Sequence, residues 1–259
     1  IRILLLCLLG LRGWRMCVCR KGGINWYMGK VVFSFDSYVS PLYDASAKKV
    51  DEYILMVELQ DVPYKVCRDV SVPSNLYIGY LGEVLVIAMG WVNYHLHEIS
   101  KDGFYYMRPY NIEDKDMLAY DEDKVRDAFQ YTVADLVSRK GSTFELMYDL
   151  GDSWRHKVTC LGKRKRSGYA VVEDPGVEVL SGEGCCPPDD CGVYGYRDLL
   201  STMTDSSNEE YESMKGWLQG VWGYEDFDPL AFDLHSCRLR VDDYQRLIEE
   251  VRRGLFRRG

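Results

Sequence analysis

The chain has 259 residues, of which 47% are hydrophobic and 13% aromatic, so it has enough apolar material for a core of its own. Its formal net charge of −8 argues against attraction of the whole surface to nucleic acid or anionic lipid, because phosphate groups bind surfaces of net positive charge. No apolar run reaches the roughly 18 residues that cross a bilayer. We therefore expect no membrane partner, and nucleic acid is a disfavoured one.

The first 27 residues differ in character from the rest. Arg2 precedes an apolar run at 3–9 that resembles the hydrophobic part of a secretory signal, but no small-residue cleavage site follows it. Met28 is a better candidate for the first residue of the natural protein. Our hypothesis is that residues 1–27 are a translated upstream region or a poorly ordered leader, and a true signal peptide is the alternative.

The periodicity of apolar residues predicts strands early in the chain and helices late. Alternating patterns bounded by turn residues predict strands at 31–35, 53–59, 64–72, 91–99, 104–107, 143–148, 154–161 and 169–172. Helical spacing and capping residues predict helices at 74–90, 132–141, 196–203 and 206–218, and two more that begin at 228 and 242. The stretches 36–49 and 111–127 are interpreted as loops and the basic cluster 163–166 as a turn.

Strands paired by hairpins and followed by helices are typical of an α+β fold. We expect an antiparallel-rich sheet with packed helices and a helical C-terminal part. Gly79 and Gly82 lie inside the predicted helix 74–90, where each glycine costs about 1 kcal/mol. Small residues at these positions would let the sheet approach the helix closely.

The cysteines are nine in number and irregularly spaced. Disulfide frameworks belong mostly to short secreted chains with an even number of cysteines. We therefore interpret them as mostly reduced thiols and the protein as cytoplasmic. Cys186 and Cys191 are spaced more widely than the tight cysteine pairs of structural zinc sites, so no metal and no cofactor are expected there.

Four ordered blocks of sequence resemble the plasmid pRiA4b ORF-3-like family, some of whose members are labelled transposon passenger proteins. These blocks are AMGWVNYHLHE at 88–98, YDLGDSWRH at 148–156, CPPDDCG at 186–192 and FDPLAFD at 227–233. The resemblance implies an α+β domain with no established biochemical activity. On this basis we expect an N-terminal extension at 1–49 that is partly disordered or mis-started, a pRiA4b ORF-3-like domain at 50–240 and a C-terminal helix at 241–259.

The sequence departs from the family pattern at three positions. The family has His at the position of Gly82, Phe at that of Leu150 and Gly at that of Val193. Because Gly82 carries no imidazole, catalysis centred on that histidine is not expected here.

The polar residues of these blocks predict a cleft where the segments 95–97, 149–156 and 186–196 converge. Its candidate residues are His95, His97, Asp149, Asp152, Trp154, His156, Asp190 and Tyr196. Trp154 is expected to anchor the core or the floor of this cleft, because a tryptophan beside a polar loop often lines a pocket.

Asp149 and Asp152 flank Gly151, and their carboxylates have two interpretations. They are either turn residues that accept backbone N–H groups or a carboxylate pair for metal binding or acid–base chemistry. The turn interpretation is favoured, and it predicts a positive φ at Gly151. His95 and His97 would point the same way on a strand and could share a metal ion, or they are hydrogen-bonded strand residues, which is the favoured alternative.

Three functions follow from these residues. The first is a non-catalytic binding or accessory module associated with mobile elements, whose ligand is a protein or a small molecule. The second is a metal-dependent hydrolase that uses Asp149, Asp152, His95 and His97. The third is a nucleic-acid accessory factor. We expect the first, and hence a protein that is not an enzyme.

Overall fold

The computed structural model describes residues 15–18, 24–28, 31–34, 41–93, 95–108, 120–165, 176–222 and 227–252. Within these ranges the chain forms an eight-stranded sheet, a three-stranded sheet and five α-helices. The α+β fold expected from the sequence is confirmed. No described helix is long and apolar enough to cross a membrane.

Three antiparallel strands near the N-terminus form a sheet of their own in the order β1–β2–β3. They are β1 (Arg15–Val18), β2 (Ile24–Met28) and β3 (Val31–Ser34). The strand predicted at 31–35 is thus confirmed. The leader hypothesis for residues 1–27 stays a prediction, since 1–14 and 19–23 lie outside the described residues.

The larger sheet contains the remaining strands. They are β4 (Asp51–Leu59), β5 (Cys67–Pro73), β6 (His97–Lys101), β7 (Phe104–Met107), β8 (Val125–Asp127), β9 (Thr143–Tyr148), β10 (Trp154–Lys165) and β11 (Glu178–Glu183). Their order is β11–β5–β4–β10–β9–β6–β7–β8, and only the pair β7–β8 is parallel. The antiparallel-rich sheet expected from the sequence is therefore confirmed.

Five helices accompany the sheet. They are α1 (Ile78–Met89), α2 (Val133–Leu136), α3 (Gly192–Thr204), α4 (Tyr211–Trp222) and α5 (Leu234–Arg252). Every residue of α1 is buried, because the helix packs against β5 and β6 as well as against α5. This arrangement makes α1 the centre of the core.

The two glycines inside α1 allow this close packing. The imidazole of His97, the first residue of β6, occupies the space that a Cβ on Gly82 would need. The ring of Phe129 lies 2.6 Å from the position of a Cβ on Gly79. The close approach of the sheet that we expected at Gly82 is confirmed.

The core-facing side of the hairpin β9–β10 follows the two-residue period of a strand. Leu146, Tyr148, Trp154 and Val158 are fully buried in one cluster with the side chains of α1. The residues between them, such as Glu145, Arg155 and Lys157, are exposed.

Two predicted boundaries near α1 are wrong. The helix does not begin at Ser74, whose Oγ instead accepts a hydrogen bond of 3.0 Å from the N–H of Asp51; its N-cap is Tyr77. The strand predicted at 91–99 begins only at His97, after a loop in which Asn93 has a φ of 58°. His95 therefore precedes the strand.

The helix starts predicted at 228 and 242 are also wrong. Asp228 caps a short turn by accepting the N–H of Leu230, and the helix α5 begins at Leu234. Asp233 is its N-cap, since Oδ1 accepts the N–H groups of His235 and Ser236 at 2.9 and 3.2 Å. Residues 240 and 241 both lie inside this helix, so the C-terminal helix expected at 241–259 begins earlier in the chain.

Other details of the prediction differ as well. Residues 163–165 of the basic cluster lie in β10 and not in a turn, because β10 pairs with β4 as far as Lys165 and Asp51. The loop predicted at 111–127 ends in β8. The short helix α2 has the predicted capping box of Thr132 and Asp135 but ends at Leu136. The strand predicted at 169–172 lies outside the described residues.

Candidate functional site

The turn between β9 and β10 brings the first carboxylate into the site. Tyr148 and Trp154 are paired across this hairpin, and Asp149 and Ser153 take positive φ values of 54° and 57° to close it. Oδ1 of Asp149 accepts the N–H groups of Gly151 and Asp152 at 2.9 and 3.2 Å. The turn interpretation of Asp149 is therefore confirmed for one oxygen, while the other oxygen faces His95.

The segment before α3 supplies a second carboxylate. Asp189 begins a short 3-10 turn and is fully buried. Its Oδ2 accepts a hydrogen bond of 2.9 Å from the hydroxyl of Tyr148, and its carbonyl oxygen accepts one of 3.2 Å from Nε1 of Trp154. Among the described residues, Oδ1 of Asp189 has no hydrogen-bond partner. Two side chains of the β9–β10 hairpin thus fix Asp189, Tyr148 through its carboxyl group and Trp154 through its main-chain carbonyl.

Burial and the neighbouring acids perturb the ionisation of Asp189. Burial is the main cause that raises the pKa of Asp189 to about 8, and the charges of Asp190, Asp149 and Asp152 add to it. The hydrogen bond from Tyr148 opposes this rise. At neutral pH the carboxyl group is therefore mostly protonated unless a cation is close to it.

His95 joins the two segments. Its Nδ1 lies 3.4 Å from Oδ2 of Asp149, and its Nε2 lies 3.8 Å from Oδ1 of Asp190. Its ring packs edge-on against Tyr148 with the centroids 5.8 Å apart. His95, Asp149 and Asp189 each offer one ligand atom, and these three atoms lie within 4.8 Å of one another.

Asp152 borders the same group of residues. Its carboxylate lies 3.3 Å from the position of a Cβ on Gly192, the first residue of α3. Partial burial and then the charge of Asp149 raise the pKa of Asp152, while His95 lowers it. We call His95, Asp149, Asp152, Asp189 and Asp190 the acidic cluster.

The other two predicted histidines lie in the core. The ring of His97 is buried against α1, and burial lowers its pKa to about 4. His156 is buried edge-on against Trp91 at 5.2 Å, its Nδ1 lies 3.2 Å from the carbonyl oxygen of Leu146, and burial lowers its pKa to about 4. The structure does not bring these two rings into the acidic cluster, because His97 packs against α1 and His156 packs against Trp91.

An aromatic layer lies beneath the acidic cluster. Trp154 and Tyr196 are fully buried, with ring centroids 6.4 Å apart, and Trp91 lies 5.5 Å from Trp154. Nε1 of Trp91 donates to the carbonyl oxygen of Pro187 at 2.9 Å, which ties this layer to the segment before Asp189. The prediction that Trp154 is buried is confirmed.

Asp189 is the site residue that the sequence did not reveal, although its neighbour Asp190 was predicted. The side chain of Asp190 is 55% exposed, whereas Asp189 is completely buried. In a three-residue turn, no periodic pattern in the sequence indicates which of two adjacent aspartates is buried. The signal available in the sequence was the pair of prolines before them, which fixes the direction of the turn.

The thiol of Cys191 lies beside the acidic cluster. Its Sγ donates to the carbonyl oxygen of Pro188 at 2.9 Å, and burial, followed by the charge of Asp152, raises its pKa to about 12. The thiol is thus protonated at neutral pH, and thiolate is the form that acts as nucleophile or metal ligand.

Comparison with known proteins agrees with the four sequence blocks. A model of the family described as "Plasmid pRiA4b ORF-3-like protein" matches residues 51–236. The chain belongs to the plasmid pRiA4b ORF-3-like family. The matched range contains every residue of the acidic cluster, so the cluster is part of the pRiA4b ORF-3-like domain.

Two known proteins are similar to most of the chain. "Uncharacterized protein y4hQ" of Sinorhizobium fredii is 31% identical over 193 residues, which are 73% of this chain and 90% of that protein. A crystal structure of "Protein of Unknown Function MM3350" from Methanosarcina mazei Go1 has a TM-score of 0.58 at 24% identity and covers 73% of this chain and 98% of its own. The second likeness shows the fold alone. Neither description names an activity.

Proposed function

We propose that this protein is a non-catalytic binding module that holds a cation in the acidic cluster. The observation that carries the proposal is the convergence of four carboxyl groups on His95, one of which, Asp189, is fully buried. Burial raises the pKa of Asp152 and Asp189, and the charges of neighbouring carboxylates raise both further, because like charges repel. A bound cation would remove this repulsion.

The side chains near the cluster favour binding over catalysis. Cys191 is a protonated thiol, and His97 and His156 are buried in the core with pKa values of about 4. A general base or a nucleophile has to reach its substrate in the right protonation state. These three groups do not meet that requirement.

A metal-dependent hydrolase is the second candidate, and the proximity of His95, Asp149 and Asp152 favours it. Without His97, this candidate uses a different set of residues from the one expected from the sequence. Metal-dependent hydrolysis of a model ester or phosphodiester that is lost in Asp152→Asn would support it. A cation that binds without any hydrolysis would support the module.

We also propose an accessory role in a mobile element and a cytoplasmic location. The family resemblance supports the first, and the free thiols of Cys67, Cys160 and Cys237 support the second. A role as a nucleic-acid accessory factor is disfavoured, because the net charge of −8 and the acidic cluster both repel phosphate.

Thermal denaturation of the full chain with different cations tests the binding function. Spermidine, a lysine-rich peptide, Mn²⁺ and Zn²⁺ represent organic and metal cations. A ligand at 100 times its dissociation constant adds about 2.7 kcal/mol to the free energy of unfolding, which raises Tm by roughly 5–10 °C in a chain of this size. We expect at least one cation to produce such a rise, which Asp149→Asn abolishes and the exposed control Asp123→Asn retains. If no cation of either kind raised Tm, the proposal would fail.

A further inference from the structure

We infer that the ligand of the acidic cluster is a divalent transition-metal ion such as Mn²⁺ or Zn²⁺, bound by His95, Asp149 and Asp189. The inference rests on the cation-binding function proposed above and names the class of cation. It goes beyond the sequence prediction, which expected no metal and did not include Asp189.

The distances between the side chains fit an ion of this size. Ligands at about 2.1 Å from a tetrahedral ion stand about 3.4 Å from one another. Nδ1 of His95 and Oδ2 of Asp149 are 3.4 Å apart. The ligand atoms of His95, Asp149 and Asp189 all lie within 4.8 Å of one another. This upper bound is little more than 1 Å longer than the distance between two ligands of a tetrahedral ion. The three ligand atoms are therefore close to the spacing that a tetrahedral ion requires.

The ligand types select the class of ion. One imidazole nitrogen and two carboxylate oxygens form a mixed set that suits first-row transition metals, because imidazole binds Zn²⁺ and Fe²⁺ well and carboxylates bind Mn²⁺ well. Mg²⁺ and Ca²⁺ prefer oxygen ligands alone. A polyamine or a lysine side chain would bind carboxylates through N–H donors and would gain little from His95.

Asp189 provides independent evidence for a ligand. Its side chain is completely buried, and its Oδ1 has no hydrogen-bond partner among the residues that the structure describes. A buried polar atom without a hydrogen-bond partner costs free energy, and natural proteins rarely keep one. A metal ion at the cluster would give this buried oxygen a partner. An ion pair at the surface of the protein would not reach it.

The neighbours of the three ligands hold them in place. Tyr148 donates to Asp189, and the N–H groups of Gly151 and Asp152 donate to Oδ1 of Asp149, which leaves Oδ2 directed at His95. With Nδ1 of His95 on the ion, Nε2 faces Asp190 at 3.8 Å. Such outer carboxylates orient metal-bound imidazoles and strengthen their binding. Asp190 is thus a positioning residue.

Calorimetric titration of Mn²⁺ alone into the full chain tests the inference. Mn²⁺ is the first probe because thiols bind it weakly, so the cysteines do not compete. We expect one ion per chain. In His95→Gln and Asp189→Asn we expect the affinity to fall on the order of a hundredfold, and in Asp190→Asn by about tenfold, as for outer partners of metal ligands. His235→Gln, at an exposed histidine in α5, is the matched control and should bind as the parent does.

The outcomes separate this inference from the proposed function. If spermidine or the lysine-rich peptide stabilised the protein and Mn²⁺ and Zn²⁺ did not bind, the metal site would be refuted and the binding module would stand. If no cation bound, both would fail. Metal binding that is unchanged in His95→Gln would also overturn the inference. This variant keeps the test valid if Asp189→Asn does not fold, because the side chain of His95 is 26% exposed and lies outside the hydrophobic core cluster.

Discussion

The hydroxyl of Tyr148 donates a hydrogen bond of 2.9 Å to Oδ2 of Asp189, which is 41 residues away in the sequence. Both side chains are fully buried, so the bond is shielded from water. It connects the end of β9 to the turn that leads into α3. The position of Asp189 in the acidic cluster therefore depends on a residue of the central sheet.

Replacing Tyr148 with phenylalanine should remove this bond without creating a cavity. We expect the free energy of unfolding to fall by about 1–3 kcal/mol, because the change leaves a buried acceptor without its donor. Urea denaturation measures the loss. Tyr194→Phe is the matched control, since Tyr194 is 82% exposed on α3, and it should change stability by less than about 0.5 kcal/mol. Equal stability of the two variants would show that the bond contributes nothing.

Gly82→Ala should destabilise the protein although alanine is the better helix former. A Cβ at this position meets the imidazole of His97, which is buried and has little room to move. Overpacking of this kind costs about 1–3 kcal/mol, which outweighs the gain in helix propensity of about 1 kcal/mol. Gly216→Ala in α4 is the control and should be stabilising, because among the described residues no atom beyond its chain neighbours and the helix backbone lies within 4 Å of its Cβ position. Thermal denaturation of both variants shows whether each substitution raises or lowers the stability of the protein.

A second variant identifies the cause at Gly82. Shortening the partner in Gly82→Ala/His97→Ala makes room for the new methyl group. We expect the double variant to lose less stability than the sum of the two single changes. Additive losses would place the origin of the effect elsewhere in α1.

The fold was predictable from sequence where periodicity and turn residues agree. The hairpin β9–β10 shows both, and its strands were predicted within a few residues. Helix starts were harder, because more than one residue before α1, and before or within α5, is a good cap. Ser74 satisfies the backbone of β4 instead, and Asp233 caps α5 in place of Asp228 and Asp242. Tertiary contacts decide which of several equivalent residues caps the helix. These contacts cannot be predicted from local sequence patterns.

The candidate site was predicted in part for similar reasons. The segments at 95, at 149–152 and at 190 do converge, as their polar character indicated. The prediction of a positive φ at Gly151 is wrong, because Asp149 and Ser153 take that conformation. His97 and His156 share a motif with site residues, yet the strand alternation turns them into the core. Burial of individual residues, such as Asp189, depends on long-range packing.

Arg68→Met should be the most damaging of these substitutions. The buried guanidinium donates to five backbone carbonyl oxygens, namely those of Cys67, Ala88, Met89, Glu183 and Gly184. Two of them belong to the last turn of α1, whose carbonyl groups have no partner within the helix. Its charge also lies 4.5 Å above the ring of Phe232. Arg68 thus connects β5, α1 and the segment before α5.

The expected loss is at least about 3 kcal/mol, because several buried acceptors lose a charged donor together. Chemical denaturation measures this loss of stability. If the loss exceeds the stability of the fold, the variant will not be expressed as soluble protein. Arg155→Met is the matched control, since Arg155 is 50% exposed and its ion pair with Asp61 is open to water. A loss below about 1 kcal/mol for Arg68→Met would contradict the role assigned to this residue.

Each buried histidine should lower the stability of the protein in mild acid, whereas the raised pKa of Asp189 acts in the opposite direction. The pKa of His156 is about 4 in the folded protein and 6.5 in its usual state. Between these values the unfolded chain binds a proton that the folded chain does not bind, so the free energy of unfolding falls as the pH falls from 6.5 to 4. The total loss is on the order of 3 kcal/mol for one histidine, and His97 contributes in the same direction.

Comparison of variants isolates this effect from the other titrating groups. Across pH 6.5 to 4, His156→Gln should lose stability less steeply than the parent by about 1.4 kcal/mol per pH unit, because one proton is no longer linked to unfolding. Urea denaturation at several pH values gives the two slopes. His235 is exposed, so His235→Gln should keep the slope of the parent. If His156→Gln kept it too, then His156 would already be protonated in the folded protein, and its burial against Trp91 would not exclude the charge.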